Sequence, residues 1–330
     1  MANPRARVFH KLMFGRTVLA AAVAVGLVST MLSGAVAQDD KPSVTVGSKD
    51  FTEQVIINEM LAQLLENADY EVERQLNLGG TAVVHQALVS GEIDTYIEYT
   101  GTALLVILEQ EVPDVAASPE ASPTAAGTPE AGGAVADAVY QAVQTSYQEE
   151  FDLAVLDPLG FNNTYTLALT RERATELGVE TISDLLEHDD ELVFGATQEF
   201  LTRPDGLPGL EELYGLDFSS DTGMDPGLVY QAVESGDVDV ISAFATDGRI
   251  PAFDLVTLVD DMSYFPPYFA SPVVRQELLD EDPAVEEILN SLSGLIDDET
   301  MAALNLRVDE GGEEAADVAQ SFLEEQGLLG

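Results

Sequence analysis

Short stretches in which apolar and polar residues alternate give way to stretches with a helical period, and the switch recurs along most of the chain. Ser43–Gly47 (SVTVG) alternates and predicts a strand. After Lys49, Asp50 and Phe51, Thr52 predicts an N-cap with Glu53 in the first turn. Val55, Ile56, Met60, Leu61, Leu64 and Leu65 then form one apolar stripe of a helix. Residues 70–78 predict a second strand, Gly79-Gly80 a turn, and Thr81 the cap of a second helix. Residues 93–99 predict a third strand, and Thr100-Gly101-Thr102 opens the next helix. Further strands are predicted at 153–156, 164–170, 192–196 and 255–259, with helices at Arg171–Leu177 and Ser183–Glu187. The end of the chain, 283–296 and 313–326, predicts acidic helices. This βαβα order predicts an α/β protein with mostly parallel sheets.

The pattern contains a repeat. Residues 84–102 read VHQALVSGEIDTYIEYTGT, and 145 positions later residues 229–246 read VYQAVESGDVDVISAFAT. Without a gap, Val84, Gln86, Ala87, Ser90, Gly91 and Asp94 meet identical residues at Val229, Gln231, Ala232, Ser235, Gly236 and Asp239. Each copy reads as a helix end, a Ser-Gly stop and an apolar strand closed by an aromatic residue, Tyr99 or Phe244. A period this long is not that of a solenoid. It predicts two similar α/β lobes. Lobe 1 is expected to comprise 43–158 with 262–330, and lobe 2 to comprise 159–261. Crossings lie near Asp157-Pro158-Leu159-Gly160 and near the stiff turn Tyr264-Phe265-Pro266-Pro267-Tyr268.

Two segments stand outside this scheme. Residues 1–37 read as an export signal, with Arg5, Arg7, Lys11 and Arg16, an uncharged run over 18–36 and a small-x-small site at Ala35-Val36-Ala37. That run is also about long enough for an uncleaved anchor. Residues 113–133 (PDVAASPEASPTAAGTPEAGG) have nothing to pack and predict a disordered insertion within lobe 1.

Charge narrows the function. Four of the 13 basic residues fall in the signal and none of the 60 acidic ones does, which leaves nine basic residues after it. Such a balance argues against nucleic acid and anionic membrane surfaces as partners. The chain has no Cys, so no disulfide, lipobox lipid or thiolate metal site can form. Catalysis finds little support. His10 lies in the signal, His85 within a helix and His188 in an acidic loop, and no Gly-x-Ser-x-Gly elbow or P-loop is present. No metal or cofactor is expected.

Binding finds more. Tyr99, Tyr165, Phe244 and Tyr268 come from four separate strand ends or turns. Any one of them alone is better explained by core packing. If they converge between the lobes, they form a box whose ring faces attract a quaternary ammonium group without needing a hydrogen bond. Lys49 and Arg203 are scarce cations at loop positions, and with Thr102 at a helix start they suit a carboxylate at the ligand's other end. The alternatives are a solvated Lys49 balancing Asp50 and an Arg203 that only stabilises its own loop.

The motifs GSKDFTEQ (47–54), LNLGGT (76–81), SGEIDTYIEYTGT (90–102), GFNNTYTLAL (160–169), RPDG (203–206), ATDGRI (245–250) and FPPY (265–268) carry a resemblance. Over nearly all of 43–330 the chain resembles the substrate-binding proteins of bacterial ABC importers for osmoprotectants such as glycine betaine, choline and carnitine. The resemblance implies a two-lobe type II periplasmic-binding-protein fold that closes on its ligand, outside the cytoplasm and without enzymatic turnover. It implies a cage role for Tyr99, Tyr165 and Tyr268, and a carboxylate role for Lys49, Thr102 and Arg203. It also implies delivery to a membrane permease driven by a separate ATPase chain. Phe244 stands where some relatives have Tyr, which keeps a ring face and loses a hydroxyl, and Leu159 replaces an aromatic of some relatives. The insertion departs from the family, and the missing lipobox departs from Gram-positive relatives. Glycine betaine is the expected ligand type, with choline or carnitine as alternatives, and a sensor without a transport role stays open.

Overall fold

A computed structural model describes residues 41–113 and 130–329. The predicted signal and residues 114–129 of the predicted disordered insertion lie outside the described residues. Among the described residues ten strands form two five-stranded sheets. The first is ordered β2 (Glu71–Gln75), β1 (Ser43–Gly47), β3 (Thr95–Tyr99), β10 (Ala270–Arg275) and β4 (Leu153–Val155). The second is ordered β7 (Ser220–Met224), β6 (Val193–Thr197), β8 (Val240–Phe244), β5 (Tyr165–Thr170) and β9 (Leu255–Thr257).

The two sheets share one plan. In each, one strand runs against the other four: β10 in the first, β5 in the second. Those reversed strands are the ones entered from the crossing segments, which pair with each other at Asn162 and Phe269. The expectation of mostly parallel sheets therefore holds except at these two strands. Sequence reading misses β7 and β10. β7 (SDTGM) is an exposed edge with no apolar alternation, and β10 (ASPVVR) carries Pro272, which reads as a strand breaker.

The repeat is structural. Gly91 and Gly236 take left-handed backbone, at φ 74° and 78°, where a side chain is disfavoured. In both copies two successive amides return to one carbonyl, Ala87 in the first and Ala232 in the second. Asp94 accepts the amide of Thr45 at 2.8 Å, and Asp239 accepts that of Val193 at 2.9 Å, so the repeat carboxylates pin β1 in the first sheet and β6 in the second.

The helix Thr52–Asn67 is buried on more than one face, because it lies between the first sheet and the C-terminal helices Asp298–Asp309 and Ala315–Glu325. Ile56, Ile57, Met60 and Leu61 are fully buried there. Val55, expected in the stripe, is only partly buried. Phe51, not Thr52, is the N-cap; the Thr52 hydroxyl donates instead to Asp309 at 2.5 Å.

Candidate functional site

Strand direction explains which side chains meet. β1, β3, β6 and β8 end at one edge of their sheets, where ligands of open α/β sheets sit. The reversed strands begin at that same edge. Tyr165, first in β5, pairs with Phe244, last in β8. Ala270, first in β10, pairs with Tyr99, last in β3, so Tyr268 sits two residues from that edge. Lys49 follows β1, Thr102 follows β3 and Arg203 follows β6.

All seven residues singled out in the sequence line one cavity of about 230 Å³: Lys49, Tyr99, Thr102, Tyr165, Arg203, Phe244 and Tyr268. Its aromatic wall is continuous. The rings of Tyr165 and Phe244 lie 4.9 Å apart, and Tyr268 stands edge-on to Tyr165 at 5.6 Å. Phe51 completes the wall. It stacks on Phe244 at 5.4 Å with only 5° between the planes, and faces Tyr99 at 6.2 Å. Sequence reading passed over Phe51, although it lies inside the GSKDFTEQ motif.

The cations at the polar end are buried and already partnered. Lys49 Nζ is 2.6 Å from Glu98 Oε1 and donates to the Thr81 hydroxyl at 3.1 Å. It is thus neither solvated nor paired with Asp50. Arg203 grips Asp205 with Nε and with Nη2, the latter at 2.6 Å. Its Nη1 donates to the Tyr165 hydroxyl oxygen and its Nη2 to that of Thr102, each at 3.0 Å. The loop ion pair and the link to the aromatic wall coexist. Burial alone would lower the guanidinium pKa, but Tyr165, Asp205 and Glu199 hold it well above its usual range. Tyr268 donates to Asp205 at 2.8 Å, so residues of both sheets share one network.

Glu199 closes the cavity from the second sheet, accepting the amide of Thr81 at 3.2 Å. Burial pushes its carboxyl up, but Lys49 and then Arg203 outweigh that and hold it below its ordinary 4.5. A depressed carboxylate contributes stability above the unfolded-state pKa and loses it as pH falls through the folded value. The stabilisation contributed by Glu199 is therefore expected to be lost as pH falls below 4.5, so that the melting temperatures of wild type and Glu199→Gln converge there. Thermal scans across pH on both proteins check this.

Beneath Phe51 lies a carboxylate that sequence reading also missed. Glu53 is 3% exposed and accepts four donors: Tyr99 Oη and Asn163 Nδ2 at 2.7 Å, Thr246 Oγ1 at 2.5 Å and Asn305 Nδ2 at 3.0 Å. Burial raises its pKa above the usual carboxylate range against the pull of those donors. Glu53 ties Tyr99 to Thr246, which follows β8 of the other sheet. Glu53→Ala leaves the Tyr99, Asn163 and Thr246 donors without their acceptor, while Asn305 keeps the Thr246 carbonyl at 3.0 Å, and is expected to cost about 2–4 kcal/mol of stability, checked by urea unfolding.

The model of the substrate binding domain of ABC-type glycine betaine transport systems matches residues 42–325. The chain belongs to this family. It is 38% identical over 299 residues to a glycine-betaine-binding protein of Pseudomonas aeruginosa, covering 87% of this chain and 89% of that one. It is 36% identical over 291 residues to the ergothioneine transport permease/ergothioneine binding protein of Helicobacter pylori, covering 88% of this chain but 48% of that longer protein. A crystal structure of a glycine betaine/carnitine/choline ABC transporter protein superposes with a TM-score of 0.67 at 33% identity, over 87% of this chain and all of that one. The fold is thus the two-lobe type II binding-protein fold. The chain is a quaternary ammonium osmoprotectant-binding protein of an ABC importer, and not an enzyme. Members of the family are extracytoplasmic binding proteins.

Proposed function

We propose that residues 43–158 with 262–330 form one lobe and 159–261 the other, and that they close over a glycine betaine-type ligand in the 230 Å³ cavity. The observation that carries this is the meeting of four separate ring-bearing segments with two buried cations in one cavity. The trimethylammonium head rests on the faces of Tyr99, Tyr165, Phe244 and Tyr268. The carboxylate turns to Arg203, Lys49 and the hydroxyl of Thr102. The loaded protein hands its ligand to a membrane permease powered by a separate ATPase chain. Export by cleavage after Ala37 supplies the location.

One observation favours a second ligand. Glu98 and Asp205 already balance Lys49 and Arg203, so the polar end offers little net attraction for a carboxylate. On that reading choline, a cation with a hydroxyl, binds as well as the zwitterion. Calorimetric titration with both ligands decides. A clear preference for glycine betaine that Lys49→Ala erases supports the carboxylate clamp. Equal affinities, unmoved by that substitution, leave the cage and remove the clamp. No binding of either by the folded protein overturns the proposal.

A further inference from the structure

Phe51 and Phe244 also line a second cavity, of about 310 Å³, which the rings of Tyr99, Tyr165 and Tyr268 do not reach. Two buried amides line it. Asn163 and Asn305 are each 4% exposed. Each turns its nitrogen to Glu53, at 2.7 and 3.0 Å, and that of Asn305 also reaches the Thr246 carbonyl at 3.0 Å. Exchanging nitrogen for oxygen in either amide would set a carbonyl against the carboxylate, so both orientations are fixed. Each Oδ1 is therefore turned away from Glu53, and neither accepts a hydrogen bond from any group among the described residues. A buried acceptor without a donor is unfavourable. Two of them on one cavity call for an occupant that donates.

The charge of the lining says what kind of donor. Its one cation, Arg249, is held by Asp247 through two side-chain bonds, and Asp309 lies 3.3 Å from it. Glu313 is engaged by Arg307. Asp50 and Glu314 are exposed and have no cation partner among the described residues. The cavity thus carries an excess of negative charge, shared between a buried end and an open one. Among the described residues no three acidic side chains are grouped tightly enough for a metal ion. Spread carboxylates suit an elongated cation with several N–H groups instead. Phe51, Val55 and Val308 supply apolar wall for its methylenes.

We propose that this cavity binds an aliphatic diammonium ion. One ammonium donates to the Asn163 and Asn305 carbonyls, and the other lies against Asp50 and Glu314. Its chemistry is the converse of that of the ligand cavity. There, ring faces suit a cation with no N–H to donate; here, unpaired carbonyls require one that has several.

The test is calorimetric titration of the full exported chain with diaminobutane, in physiological salt so that scattered surface charge is screened. It is run with and without saturating glycine betaine, and repeated with the fully N-methylated analogue, which has the same charge and no N–H. One-site binding of the diamine is expected in both conditions, at least about tenfold tighter than that of the analogue. Glu314→Gln, at an exposed position, is expected to weaken it about threefold and to leave betaine affinity unchanged. Asn305→Ala is expected to weaken it about tenfold, with a thermal scan confirming that the variant is folded. Binding of the diamine lost on saturation with betaine would place it in the ligand cavity and overturn the proposal. Equal binding of the methylated analogue would reduce it to general attraction by an acidic chain. No binding, or indifference to both substitutions, would leave the cavity to water. The diamine titration without betaine reads this site even if betaine itself does not bind, so failure of the ligand reading and failure of this one are separable.

Discussion

Arg203→Ala is expected to reduce glycine betaine affinity by at least about 100-fold and to lower the melting temperature on the order of 10 °C. The guanidinium holds Asp205 by two bonds and joins it to Tyr165 and Thr102, while being 5% exposed. Its removal leaves the Asp205 carboxylate buried with the Tyr268 hydroxyl as its remaining side-chain donor. Breaking a buried pair from one side costs about 3–5 kcal/mol, mostly from the charge left behind. Arg203→Lys separates the two roles. An ammonium can neutralise Asp205 but cannot reproduce a planar fork aimed at three partners. Stability is expected to return in large part while affinity stays low. Thermal shift and calorimetry on both variants give the two readouts. Equal affinity in wild type and Arg203→Lys would reduce Arg203 to a loop-stabilising residue.

Tyr165→Ala is expected to weaken binding by about 100-fold, and Tyr165→Phe by about tenfold. Tyr165 lies 4.9 Å from Phe200, 4.9 Å from Phe244 and 5.6 Å from Tyr268, so its ring is the centre of the aromatic wall. The alanine variant loses a ring face and opens a void that the neighbouring rings fill only in part, costing about 3–5 kcal/mol of stability. The phenylalanine variant keeps the face and loses only the oxygen that accepts from Arg203. The interval between the two isolates the ring from the hydroxyl, and titration of both measures it. If Phe and Ala weaken binding equally, the hydrogen bond and not the ring face recognises the ligand.

The sequence revealed the site's extremities better than its supports. Lys49 and Arg203 stood out because so few cations remain in an acidic chain. Tyr99 and Phe244 stood out because the repeat marks the ends of their strands. Their partners did not. Glu98, Asp205, Glu199 and Glu53 are four carboxylates among 60 acidic residues, and composition cannot distinguish a buried acceptor from a solvated charge. Each lies within or beside a motif, but only the fold buries Glu53, Glu98 and Asp205 and brings Glu199, which is half-buried, to the cavity. The same limit applies to the strands. β10 lies inside its sheet yet does not read as a strand because of Pro272, since its place is set by pairing with β3 and β4, far away in sequence. Phe51 reads as a lone aromatic before a helix. It becomes part of the wall only because Phe244, from the other sheet, lies against its face.

The two cavities allow one direct discrimination. A second cavity of about 310 Å³ lies behind the Phe51–Phe244 stack and is lined by Glu53, Tyr230, Arg249 and Asp309. A crystal structure of the exported chain grown with glycine betaine is the most direct measurement. The account predicts the trimethylammonium group against Tyr99, Tyr165, Phe244 and Tyr268, with the carboxylate toward Arg203 and Lys49. Betaine in the cavity behind Phe51, or outside both, would contradict it.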